Sequence, residues 1–281
     1  MITIGLMRRT YGWISRLYQL AETWTEKASL MLFLLRFTVA RLVPERLYKG
    51  NKEDVTLALQ GATYVVGLRT TEIYTIEELF NDHDYDRLDT FIPKSDWTVF
   101  DIGANVGMFA IQQARRASQV YAFEPNPDCY RRLSRAIVEN RLTDHITSFN
   151  YALGASSGVG TMRLYAGQTT AGSVVPGADL SSAQGARVRI TSLDLLIPAL
   201  ALTHIDLLKI NVEGAEVAVL DGAVRTLELV DRIVLEYHSA GLRQQVSTIL
   251  NDRGFTQALQ VDTNLAAGIG LIYAYRATLL S

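Results

Sequence analysis

Cysteine is all but absent: one thiol, Cys129, in 281 residues excludes an internal disulfide and any cysteine-cluster zinc site, and suits a reducing, cytosolic setting. An excess of one charge sign is also lacking. Lys plus Arg number 27 and Asp plus Glu 29, a formal net charge of -2, and the main part of the chain has no basic aromatic patch, so nucleic acid is not an expected partner. Repeats are missing, and so is a long apolar run. The longest uncharged stretch near the amino end is Ala28 to Leu35, far short of the roughly 18 residues of a membrane span, and Arg36 interrupts any signal-peptide core.

What is present divides three ways. Residues 1–50 carry Arg8, Arg9, Arg16, Lys27, Arg36, Arg41, Arg46 and Lys49 against Glu22, Glu26 and Glu45, a local excess of five positive charges. They read as a basic amphipathic helical extension, either packed on the body or touching a membrane surface peripherally. Residues 51–95 read as a small cap: Val55–Leu59 and Ala62–Leu68 make a hairpin about Gln60-Gly61, and Thr75 caps a short helix to Phe80 with Glu78 completing a capping box. The acidic run Asp82-His83-Asp84-Tyr85-Asp86 fits no calcium-loop template and reads as a solvated turn.

Residues 96–281 form the third part, in which strand and helix patterns alternate. The strands are expected at 97–102, 119–123, 146–150, 205–211, 232–238, 255–261 and 269–276, with helices at 105–117, 127–140, 214–228 and 240–253. That alternation predicts an α/β fold with a mostly parallel, doubly wound sheet whose ligand lies at the carboxyl ends of the strands. An insertion at about 158–192 contains strand-like Thr161–Tyr165 and Arg187–Thr191. Between them lies a loop of small residues (Gly167, Thr169, Thr170, Gly172, Ser173, Gly177, Ser181, Ser182, Gly185), expected to act as a lid over the acceptor.

Within that third part, Val99 to Phe109 passes from a buried strand through Gly103 and Gly107 into a helix. The dinucleotide pattern G-x-G-x-x-G would need glycines at 105 and 108, where Asn105 and Met108 stand, so a pyrophosphate is disfavoured. An adenosine cofactor without phosphates fits better, its sulfonium and amino groups complementing the carboxylate of Asp101. Glu124, 23 positions further on, stands near the spacing of about 20 for an acid that binds a ribose diol. Two later strand ends are also loaded. One carries Asn211 and Glu213 just before a helix, and the other puts Glu236 and His238 on one strand face.

Taken together, Phe100-Asp101-Ile102-Gly103-Ala104-Asn105-Val106-Gly107, Phe123-Glu124-Pro125-Asn126, Asn150-Tyr151-Ala152-Leu153-Gly154, Leu208 to Glu216 and Val234-Leu235-Glu236-Tyr237-His238 resemble the FkbM family of methyltransferases, in order, over about 55–275. The resemblance implies a class I Rossmann-like fold with an antiparallel last strand. It implies S-adenosyl-L-methionine as cofactor and O-methylation of a sugar, glycolipid, polysaccharide or natural product. It would set the methionine part along Asp101, Gly103 and Asn105, the ribose at Glu124 and the adenine near Asn150 and Ala152, with Ala104, Gly107 and Asn126 alongside. The family has aspartate where this chain has Asn211.

A hydroxyl is a weak nucleophile at neutral pH, and histidine suits removal of its proton. His238 is therefore the expected general base, with Glu213 or Glu236 orienting it or gripping the acceptor. No metal is expected, and His83, His145 and His204 read as surface or packing residues. Two other readings stand beside this one: a non-catalytic cofactor-binding scaffold, which Asn211 keeps open, and an NAD-linked oxidoreductase.

Overall fold

The computed structural model describes residues 14–42, 54–68, 72–163, 174–176 and 185–276. Residues 1–13 and 43–53 of the extension and cap, 69–71, the lid positions 164–173 and 177–184, and 277–281 lie outside the described residues. After a helical stretch at 14–20 come α1 (Trp24–Leu42), β1 (Asp54–Leu59), β2 (Ala62–Gly67) and α2 (Glu72–Phe80). Next are β3 (Thr98–Ile102), α3 (Met108–Ala114), β4 (Gln119–Phe123), α4 (Pro127–Glu139) and β5 (Ile146–Phe149). The excursion holds β6 (Ala152–Leu153), β7 (Gly158–Arg163), β8 (Val174–Pro176) and β9 (Gly185–Thr191). Last come α5 (Leu193–Leu200), β10 (Ile205–Ile210), α6 (Glu216–Asp221), β11 (Val230–Tyr237), α7 (Ala240–Asp252), β12 (Phe255–Asn264) and β13 (Ile269–Arg276).

Seven strands make the central sheet in the order β12-β13-β11-β10-β3-β4-β5, and only β13 runs against its neighbours. The expected doubly wound sheet and antiparallel last strand are both present. Chain order reverses between β3 and β10, the crevice at which ligands bind in open α/β sheets. Strand β3 is buried from Val99 to Ile102, as a parallel strand covered on both faces must be. One face packs α1, the β1–β2 hairpin, α3 and α4; the other packs α5, α6 and α7. Helix α4 starts cleanly because Pro127 sits in its first turn and the Asn126 side chain accepts from Asp128 N at 3.0 Å.

The hairpin turns through Gln60 (φ 49°) and Gly61 (φ 70°), the paired positive φ of a type I′ turn. Long-range bonds hold it down: Glu26 Oε1 accepts from Gly61 N at 2.5 Å, and Asn140 offers its Oδ1 to Thr63 N (2.8 Å) and its Nδ2 to Thr63 O (2.6 Å). The Arg132 guanidinium, nearly buried, donates to Asp54 (2.7 Å) and Glu72 (2.5 Å), while Glu72 also accepts from Gly67 N at 2.6 Å.

Several elements differ from expectation. Helix α2 begins at Glu72, three residues before Thr75, so Thr75 and Glu78 lie inside it rather than at a cap. The helix expected at 105–117 is limited to Met108–Ala114, since Gly107 (φ 87°) opens it. That expected at 214–228 divides into α6 and a 3-10 turn at Thr226–Leu229. Helix α5 was not foreseen. The excursion is not a bare loop where it is described, because β6-β9-β7-β8 make a second sheet. Nor is 82–86 simply solvated: Asp84 and Tyr85 are buried, Asp84 pairs with Arg87 at 2.5 Å, and Tyr273 Oη donates to Asp84 O.

Candidate active site

A cavity of about 440 Å³ opens at the carboxyl ends of β3, β4, β10 and β11, with the cap helix α2 as part of its wall. Its floor is the turn after β3. Gly103 (φ +79°) passes so close to β10 that a Cβ there would stand 1.8 Å from Asn211 O, so only glycine lets the two strand ends meet. The Asn105 backbone, in the left-handed region (φ 52°), turns its N–H onto Glu124 Oε2 at 2.7 Å. Glu124 Oε1 accepts from Asn126 N at 2.7 Å. Burial nonetheless pushes the Glu124 carboxyl up to about 7, against those two bonds.

Of the residues expected to bind the cofactor, Gly103, Ala104, Asn105, Glu124 and Ala152 line the cavity. Four other expected cofactor residues do not. Asp101 is fully buried and pairs at 2.8 Å with Nζ of Lys209, itself part of the cavity lining, so its charge already has a partner. Gly107 faces Leu133, where a Cβ would meet Cδ1 at 2.3 Å. Asn126 caps α4, and Asn150 Nδ2 ties down Glu124 O (2.7 Å) and Pro125 O (3.1 Å). These four shape the wall.

At the far end of the cavity stands His238. Its Nδ1 lies 2.6 Å from Glu216 Oε1 and its Nε2 3.5 Å from Glu213 Oε2. Because a carboxylate only accepts, Nδ1 carries the proton toward Glu216 and Nε2 holds the lone pair of the neutral ring. Burial pulls the His238 pKa down, but the bond to Glu216 and the charges of Glu213 and Glu216 outweigh it, leaving the imidazole above its ordinary 6.5. Glu213 (φ 55°) is pushed up to about 7 by burial, against His238 and with Glu236 and Glu216. The orienting group is thus Glu216, fully buried, rather than Glu213 or Glu236.

Glu236 is engaged elsewhere. Its Oε2 accepts from Asn211 Nδ2 and, at 3.2 Å, from Tyr85 Oη, and Asn211 Nδ2 reaches Tyr85 Oη at 2.9 Å. An amide at 211 can donate to Glu236 where an aspartate would repel it. Glu78, projecting from α2, is pushed up to about 8 by burial and by Glu236, Asp84 and Glu213.

Lys209, Tyr85, Glu216 and Glu78 were not picked out as site residues by sequence. Lys209 and Glu216 stand inside the Leu208 to Glu216 block, which was the available signal. Tyr85 and Glu78 gave none, since tertiary contacts alone bring them here. Among the described residues, His204 Nε2 meets Asp206 and Asp231 at 3.3 Å each, at the amino ends of β10 and β11 and away from the cavity.

The fold is that of a Rossmann-like methyltransferase. The model of the methyltransferase FkbM domain matches residues 101–262, and the chain belongs to that family. The methyltransferase sdnD of Sordaria araneosa is 30% identical over 213 residues, covering 65% of this chain and 81% of that protein. The hexuronic acid methyltransferase AglP of Haloferax volcanii is 28% identical over 182 residues, 64% of this chain and 72% of that one. A crystal structure of a methyltransferase FkbM from Methylobacillus flagellatus KT shares the fold with a TM-score of 0.51 at 15% identity, over 95% of this chain and 59% of that longer one.

Proposed function

We propose that the chain is an S-adenosyl-L-methionine-dependent O-methyltransferase acting on a hydroxyl of a sugar, glycolipid, polysaccharide or natural product. The observation that carries the reading is His238, held by Glu216 at one ring nitrogen and presenting the other to the cavity. Similarity to a hexuronic acid methyltransferase supports a hydroxylated acceptor.

The residues present fit the cofactor. The cavity wall bears Glu78, Glu124, Glu213 and Glu236, while the ammonium of Lys209 is spent on Asp101 and Gly103 O, an environment that welcomes a cation. Asn105 Oδ1 is buried without a partner at the floor, an acceptor open to a ligand donor. Glu124 would take the ribose hydroxyls, and the Gly103–Asn105 turn the methionine end. When bound, that cofactor supplies a methyl group already activated by a sulfonium leaving group.

The chain's own work is alignment and proton removal. His238 Nε2 takes the acceptor hydroxyl proton, and Glu216 steadies the imidazolium that results. Tyr85, Asn211 and Glu236 form a polar wall that can hold neighbouring hydroxyls. Tyr85 and Phe109 close the apolar side. The intact Glu216–His238–Glu213 set favours catalysis over a silent scaffold, and the acidic lining disfavours the pyrophosphate of NAD.

The test is transfer of labelled methyl from S-adenosyl-L-methionine to a panel of hydroxylated acceptors. The His238→Asn chain is expected to lose about 10²–10⁴-fold in kcat with cofactor affinity unchanged. Retained turnover removes His238 from the chemistry.

A further inference from the structure

Helix α1 is apolar on two opposite faces. At about 100° per residue, Leu30, Phe33, Leu34 and Ala40 share the inward side, where they join the core beneath the hairpin. Trp24, Met31, Leu32, Leu35, Val39 and Leu42 share an outward arc of about 100°, and all are exposed, Trp24 at 83% and Leu35 at 63%. A helix apolar all round is ordinarily covered on every side, and contiguous exposed apolar patches mark interaction surfaces.

The charges around that arc say what covers it. Glu26 is the only acid of α1, and it is buried against the hairpin turn. Lys27 and Arg36 flank the outward arc, one beyond each edge. Lys27 Nζ rides 5.5 Å above the Trp24 ring and 5.4 Å above Tyr18, an aromatic-cation group of the kind that sits at headgroup level. The surrounding sequence, residues 1–50, carries eight basic residues and three acidic ones. No helix of the described residues is long and apolar enough to cross a membrane.

We infer that the outward face of α1 is a docking surface for an anionic lipid bilayer, its apolar arc sunk at the headgroup boundary and its flanking cations on lipid phosphates. Charge complementarity selects this occupant over a second copy of the chain, whose own α1 would bring like charge to like.

The experiment is co-sedimentation of the full chain with vesicles of phosphatidylcholine, with and without phosphatidylglycerol. Anionic vesicles are expected to bind at least about tenfold better than neutral ones, with the preference shrinking in high salt. Leu35→Glu with Val39→Glu, at exposed positions, should abolish binding at unchanged melting temperature, and Lys27→Glu should weaken it. Equal binding to both vesicles, or none to either, overturns the inference. So does a concentration-dependent dimer in sedimentation velocity that the double variant dissolves while vesicles stay unbound.

Discussion

At the scale of single residues, the site turns on which acid holds His238. Glu213 and Glu236 are the acids that strand-end reasoning picks out, because they flank the histidine in sequence pattern. Glu216 reads as an ordinary first-turn acid of a helix, favoured there by the dipole. The fold uses it differently, because Gly214 (φ +100°) lets the chain turn back, so that Glu216 Oε1 meets both Gly214 N (2.9 Å) and His238 Nδ1 (2.6 Å). The consequence is a pH dependence. As the proposed base, His238 must be neutral to accept a proton, and its acidic neighbours hold its pKa above the ordinary 6.5, so activity should rise with pH through a limb on the alkaline side of that value. Glu216→Gln keeps an acceptor for Nδ1–H but removes the charge. The limb of kcat/KM against pH should then move down by about one unit, a displacement that mere loss of packing would not cause.

Among the elements, the sheet was legible and the cap was only half so. Strands β3, β4, β10, β11 and β13 carry near-continuous apolar or alternating runs bounded by turn residues, local signals that survive folding. The hairpin was equally plain from Gln60-Gly61. Helix α2 was not, because its true start depends on Glu72, which is buried by Arg132 sixty positions away. A capping box at Thr75 and Glu78 is a sound local reading that a tertiary ion pair overrides, and it concealed that Glu78 faces the cavity. The same pair makes the cap's attachment testable. Arg132→Ala would remove the buried guanidinium that joins Glu72 to Asp54, which keeps its pairing with Arg131, and breaking a buried pair in this way costs about 3–5 kcal/mol. Urea unfolding should show that loss with little change in slope; an effect below about 1 kcal/mol would mean that the Arg132 pair adds little to the cap's attachment.

Over the whole molecule, sequence pointed to the carboxyl end of the sheet, where the cavity opens, but took as its facing charge Asp101, which is buried outside the cavity lining. Asp101 looked like the group to meet a sulfonium; it is instead a buried counter-ion for Lys209, which leaves the acids of the cavity wall to set the field. Three of them come from distant parts of the chain, Glu78 from the cap, Glu124 from the end of β4 and Glu236 from β11, and no local window reveals their convergence. Carboxyls whose pKa values burial has raised, to about 8 at Glu78 and about 7 at Glu124 and Glu213, are relieved when a positive ligand arrives. Binding of such a ligand should therefore release protons. Isothermal calorimetry of the full chain at pH 7 with S-adenosyl-L-methionine, S-adenosylhomocysteine and NAD tests this most directly. Micromolar binding of the first two is expected, with proton release that is larger for the cationic sulfonium, read from buffers of different ionisation heat, and no binding of NAD. Binding of NAD alone would contradict it.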